Sequence, residues 1–125
     1  LESLIVIEET AKQRILTALS DSYSRQILTA TSTQSVSALE LSHMYEIPIT
    51  TVYRRIQELV DAGLIAAVKS GRTTDGKWYE QYRSLLLRIE VNFDHGEVKV
   101  NAEVNEHLSN RFTHVWTALT PVQST

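Results

Sequence analysis

Apolar residues recur along this chain at two different periods, and the change falls near its middle. Up to about residue 62 they repeat at helical spacing, and beyond it they alternate. Ile15, Leu16 and Leu19 predict a first helix over Ile5–Ser20, with Glu8 and Glu9 early and Lys12 and Arg14 later, as the helix dipole favours. A second helix is predicted over Ser22–Thr31, capped by Asp21 or Ser22 and turning Ile27 and Leu28 inward. The polar run TSTQS connects it to a very short strand at Val36, after which Ser37 caps a third helix. That helix, Ala38–Glu46, carries Leu39, Leu41, Met44 and Tyr45 along a broad apolar face. It stops before Pro48, because the residue preceding a proline is pushed out of the α region. A fourth helix starts at Pro48 or Ile49 and places Val52, Ile56 and Leu59 at i, i+4 and i+7, one buried stripe. Gly63 ends it.

Leu64–Lys69 is apolar and short, SGRTTDG follows as a cluster of turn formers, and Trp78–Arg83 alternates. Together they predict a hairpin with a long polar tip. From Leu85 the alternation is strict: Leu85, Leu87, Ile89, Val91 and Phe93 share one face. Asp94-His95-Gly96 turns the chain, and Val98, Val100, Ala102 and Val104 return on one face as a second hairpin. Leu108, Phe112, Val115, Trp116 and Leu119 then predict an amphipathic last helix, with a frayed tail after Pro121.

Composition narrows the class of protein. With 125 residues, 42% hydrophobic and 22% charged, the chain is an ordinary globular domain or one with an appendage. It holds no apolar run of bilayer length and opens on no leader pattern, so a cytoplasmic protein with no membrane partner is expected. Cysteine is absent, which excludes disulfides and thiolate metal sites. The four histidines offer no close ligand pair: His107 and His114 lie two helical turns apart, His95 is in a turn and His43 on a helix surface. No metal or other cofactor is therefore expected. No phosphate loop, nucleophile elbow or credible carboxylate pair is visible, so the chain is read as a non-enzyme.

Net charge is −3, but its distribution is uneven. Only the stretch 51–83 carries more cations (Arg54, Arg55, Lys69, Arg72, Lys77, Arg83) than anions (Glu58, Asp61, Asp75, Glu80). Helices joined by a tight turn and followed by a polar-tipped hairpin are the order of a winged helix-turn-helix. With Val52, Ile56 and Leu59 inward, Thr50, Arg54, Gln57 and Asp61 lie opposite, and Thr51 and Tyr53 take the shoulders. Arginine pairs with guanine, glutamine with adenine, and threonine methyls touch thymine, so Thr50, Thr51, Arg54 and Gln57 suit base edges. Tyr53 and Arg55 suit phosphates, as do Lys69, Arg72 and Lys77 in the wing, residues 69–78. The competing readings are a solvated helix face and an ordinary charged hairpin tip.

The segment SVSALELSHMYEIPITTVYRRIQELVDAGLI resembles the helix-turn-helix core of ArsR-like winged-helix transcriptional regulators, and LSDSYSRQIL resembles the opening of their second helix. The resemblance covers roughly residues 19–83, and the extra hairpin is similar to the C-terminal extension of some archaeal members. Two features depart from the pattern. Glu46 stands where glycine is frequent in the turn, and the cysteine motif of metal-sensing members is missing.

The resulting expectation is an α+β fold: a winged helix-turn-helix over 1–83, then a C-terminal hairpin and helix over 84–125. The reading helix, 48–62, would enter the major groove of double-stranded DNA and regulate transcription. A homodimer is expected through the first helix and residues 84–119, since one short chain cannot cover all its apolar faces. The alternative is a winged-helix protein-protein interaction module within transcription or replication machinery.

Overall fold

Asp21 divides the first two helices, and its carboxylate accepts the Ser24 N–H at 2.8 Å as the N-cap of the second. In the computed structural model, which describes residues 4–109 and 119–121, these helices are α1 (Glu9–Ser20) and α2 (Ser22–Thr33). Strand β2 (Val36–Ser37), helix α3 (Ala38–Tyr45) and helix α4 (Ile49–Asp61) follow in the predicted order. Ser37 and Glu40 exchange reciprocal hydrogen bonds across the first turn of α3, a capping box. That bond from the Ser37 N–H is the main reason the Glu40 carboxyl sits below its ordinary pKa; partial burial opposes it.

The polar-tipped hairpin is β3 (Ile65–Arg72) and β4 (Trp78–Ser84), with β2 adding to β4 to give a three-stranded sheet ordered β2-β4-β3. A second hairpin, β5 (Leu86–Asp94) and β6 (Glu97–Val104), belongs to another sheet. The fold is thus α+β, helices followed by a hairpin wing, as the periodicities predict. Among the described residues no helix is long and apolar enough to cross a membrane.

Three expectations are corrected. The chain does not start as a helix at Ile5: Leu4–Ile7 is strand β1, antiparallel to β6 with Ile5 opposite Ala102. LIVI is a short continuous apolar run, which periodicity alone cannot assign to helix or strand. Leu119 is likewise in a strand, β7 (Leu119–Pro121), which pairs with β1 after the short helix α5 (Glu106–Ser109). Phe112, Val115 and Trp116 of the predicted last helix, with His114, lie outside the described residues. Finally, the apolar face of α3 is narrower than predicted. Ala38 and Leu41 are buried, whereas Leu39 and Met44 flank them and stay exposed.

One core runs through both sheets. Ile15 and Ile27 from α1 and α2, Leu41, Ile47, and Val52, Ile56 and Leu59 from α4 join Ile7, Leu86, Val100, Ala102 and Val104. The four-stranded sheet, ordered β5-β6-β1-β7, is therefore tied to the helices by burial. The two sheets meet at Leu85, which is fully buried beside Ala66 and Leu108. Its N–H donates to the Leu64 carbonyl at 2.9 Å and its carbonyl accepts the Asn105 N–H at 2.9 Å.

Candidate nucleic-acid interface

The turn between α3 and α4 is held by its own backbone. Ile47 is buried, its N–H donates to the Ser42 carbonyl at 3.1 Å, and the Ser42 hydroxyl donates to the Ile47 carbonyl at 2.6 Å. Glu46 pays for this sharp reversal with φ 53° and ψ 46°, the left-handed region that costs a residue bearing a Cβ. Glu46 thus adopts the backbone region that glycine enters most easily. Pro48 then opens α4, its carbonyl accepting the Thr51 and Val52 N–H groups at 2.9 and 3.1 Å.

Helix α4 is sharply two-faced. Val52, Ile56 and Leu59 are buried, and each contributes roughly 1.5–3 kcal/mol. Its end is closed by Gly63, at φ 78°, with the Gly63 N–H on the Val60 carbonyl and the Leu64 N–H on the Leu59 carbonyl, both at 2.9 Å. On the opposite side Thr50, Tyr53, Arg54 and Gln57 are exposed, and Thr51 is partly so. The Gln57 amide donates to the Asp61 carboxylate at 2.9 Å, which steadies it along the helix surface. No hydrogen bond or ion pair from the Arg54 side chain is found among the described residues.

Arg55 has a different occupation from the one its sequence position suggests. Its Nε and Nη2 donate to the Asp21 carboxylate at 2.9 and 3.1 Å, and Nη1 reaches Glu58 at 3.2 Å. The fork therefore fastens the middle of α4 to the N-cap of α2. Burial acts to raise the Asp21 pKa, but the bonds from Arg55 and Ser24 together hold it below its ordinary value. The hydrogen bond to Asp21 is in turn the main influence holding the Arg55 pKa up. In the free chain Arg55 is thus engaged within the fold.

The wing is fastened to the elements before α4: Val36 of β2 pairs with Tyr82, and the Gln81 amide donates to Glu40 of α3 at 3.3 Å. Burial pushes the Tyr82 phenol up, with Glu80 and then Tyr53 of α4 adding to it. The tip, Thr73–Lys77, closes with the Thr73 N–H on the Lys77 carbonyl at 2.8 Å and the Gly76 N–H on Thr73 at 3.0 Å. The Thr73 hydroxyl also donates to Asp75, so the one acid of the tip has a structural use. Lys69, Arg72 and Lys77 are all exposed.

Two wing residues escaped the sequence reading. Trp78 is 67% exposed, and the Arg72 guanidinium sits 4.3 Å from its ring centroid, a cation–π stack on an open surface. Tyr79 lies over Gly71, where an added Cβ would come within 2.7 Å of the phenol oxygen. The signal was available: Arg72 and Trp78 flank the tip, so any hairpin there pairs them. No group of three potential metal ligands occurs among the described residues.

Residues 19–68 match a family described as the helix-turn-helix domain. The match runs from the end of α1 through α2, α3 and α4 into β3. No curated protein matches the chain. The match agrees with the α3–turn–α4 geometry, and a helix-turn-helix points to DNA as partner and transcription regulation as setting.

Proposed function

We propose that the chain is a sequence-specific regulator of transcription that acts as a homodimer on duplex DNA. In this reading α4 enters the major groove and the wing follows the backbone. The carrying observation is the exposed polar face of Thr50, Tyr53, Arg54 and Gln57, set on a helix whose other face is fully buried. Thr50, Thr51, Arg54 and Gln57 meet base edges. Tyr53, Lys69, Arg72 and Lys77 meet phosphate. Arg55 is left to its clamp. The extra hairpin supports kinship with ArsR-like regulators of the archaeal type, acting in the cytoplasm with neither catalysis nor cofactor. Residues 1–83 form the reading unit and 84–125 the extension that mediates dimerisation.

Arg54→Ala is expected to weaken binding to a selected duplex by roughly 1–3 kcal/mol and to relax preference at one base pair. Equal loss on random duplex would restrict Arg54 to phosphate, and no loss would remove α4 from the interface. Arg72→Ala with Lys77→Ala should weaken binding to every sequence and flatten its dependence on salt by roughly two phosphate contacts. The exposed Leu39 and Met44 favour a second reading, a module that contacts protein partners. Duplex affinity that ignores salt, or is absent, would decide for that module.

A further inference from the structure

Strand β5 is an outer strand of its sheet, paired with β6 on one side. Its hairpin turns through His95 and Gly96 at φ 53° and 79°, the two-residue turn in which both central residues are left-handed. Asp94 and Glu97 close that turn as a hydrogen-bonded pair. Counting back by twos, the backbone groups of Asn92 and Glu90 also face β6. Those of Phe93, Val91 and Ile89 therefore face the open edge. The same three residues stand opposite Val98, Val100 and Ala102, so their side chains share the face on which the core lies. Phe93 is 75% exposed, and Val91 and Leu87 are exposed too. Among the described residues no strand pairs with this edge, and an edge whose outward backbone groups belong to apolar residues is a template for another strand.

We infer that this strand is a second copy of β5, antiparallel, with the two-fold axis passing through Val91. The inference rests on the homodimer reading and names its interface. Charge selects both the occupant and the register. With the axis at Val91, Arg88 stands opposite Asp94 of the second copy and Glu90 opposite Asn92, each twice by symmetry. Ile89 then stands beside Phe93, and Val91 beside Val91, so the apolar residues of this stretch pack against one another as cross-strand pairs. Moving the axis to Glu90 sets two carboxylates face to face at the closer type of pair, with Cα atoms about 4.5 Å apart. Moving it to Ile89 leaves Phe93 overhanging and draws the irregular Leu86/Arg88 step into the ladder. The strand is thus complementary to itself in one register. Pairing would join two four-stranded sheets into one of eight strands.

The chain has no cysteine, so single-cysteine variants report the register directly. Ile89→Cys, Glu90→Cys and Val91→Cys each place a thiol on the axis of one alternative, and only Val91→Cys should form the oxidised dimer in high yield. Arg88→Glu and Asp94→Arg should each raise the dimer dissociation constant at least tenfold, and the double exchange should restore it. Sedimentation of the full chain separates the two levels of the argument. A dimer unaffected by these exchanges, or cross-linked best at position 89 or 90, overturns the β5 interface and leaves the homodimer standing. A monomer at high concentration overturns both. Protection of the Val91→Cys thiol in such a monomer would mean that another segment of the same chain covers the edge.

Discussion

Two hairpins among the described residues differ in the chemistry they expose. In β3–β4 the exposed part is cationic and aromatic: Lys69, Arg72, Lys77 and Trp78 stand in solvent beyond a base anchored by buried Ile65 and Ala66. In β5–β6 one exposed stretch is apolar: Val91 and Phe93 stand in solvent on the same face whose β6 residues Val100, Ala102 and Val104 are buried. Alternation fixes which side chains share a face, but whether that face is covered depends on what lies opposite. The first hairpin ends in chemistry suited to a charged polymer, the second in chemistry suited to another strand.

The largest expected effect tests whether apolar burial differs between the two regions as described. Ile56→Ala removes a buried member of the α4 stripe and should lower unfolding free energy by about 2–5 kcal/mol in denaturant titration. Val91→Ala, measured at concentrations low enough for the monomer, should change it by less than about 0.5 kcal/mol. Equal losses would mean that β5 is as covered as α4, and the contrast would fail.

A smaller effect separates the clamped arginine from the presented one. Arg55→Ala should cost about 2 kcal/mol, because it strips charged hydrogen bonds from a partly buried carboxylate. Arg54→Ala should leave stability nearly unchanged. The clamp also carries a pH signature. The folded Asp21 carboxyl lies below its ordinary value of about 4, so its contribution is complete above that value. It is lost as pH falls through the folded pKa. Thermal melts between neutral and acid pH should show that loss diminished in Arg55→Ala.

The smallest effect concerns the turn. Glu46→Gly should stabilise the chain by about 1 kcal/mol by relieving left-handed backbone at a residue with a Cβ. Destabilisation would show that the Glu46 side chain has a partner role its exposure does not suggest.

Much of the reading helix was legible in sequence because its signal is local. Val52, Ile56 and Leu59 repeat within three turns, Pro48 stands at the start of the stripe, and Gly63 follows it. What escaped depends on distant partners. Nothing near Arg55 announces Asp21, which is 34 residues away. LIVI became a strand because β6 and β7 lie on either side of it, and both come from the other end of the chain. Leu87 left the predicted face because the pairing slips between Leu86 and Arg88, a two-strand event that one strand's alternation cannot encode.

Leu85 joins the two sheets of the chain without slack. A single buried residue, bonded to Leu64 on one side and Asn105 on the other, links the wing to the sheet that ends in β5. There is no tether here that could stretch. In a two-fold dimer joined at β5, the separation and phase of the two reading helices would be properties of the folded chain, as rigid as the core between them. Such a protein selects its DNA by arithmetic as well as by sequence. Half-sites one helical turn apart, about 34 Å, differ from those half a turn farther by which side of the duplex they face. A fixed gauge accepts one spacing, and an added base pair would cost affinity even with every contacted base intact.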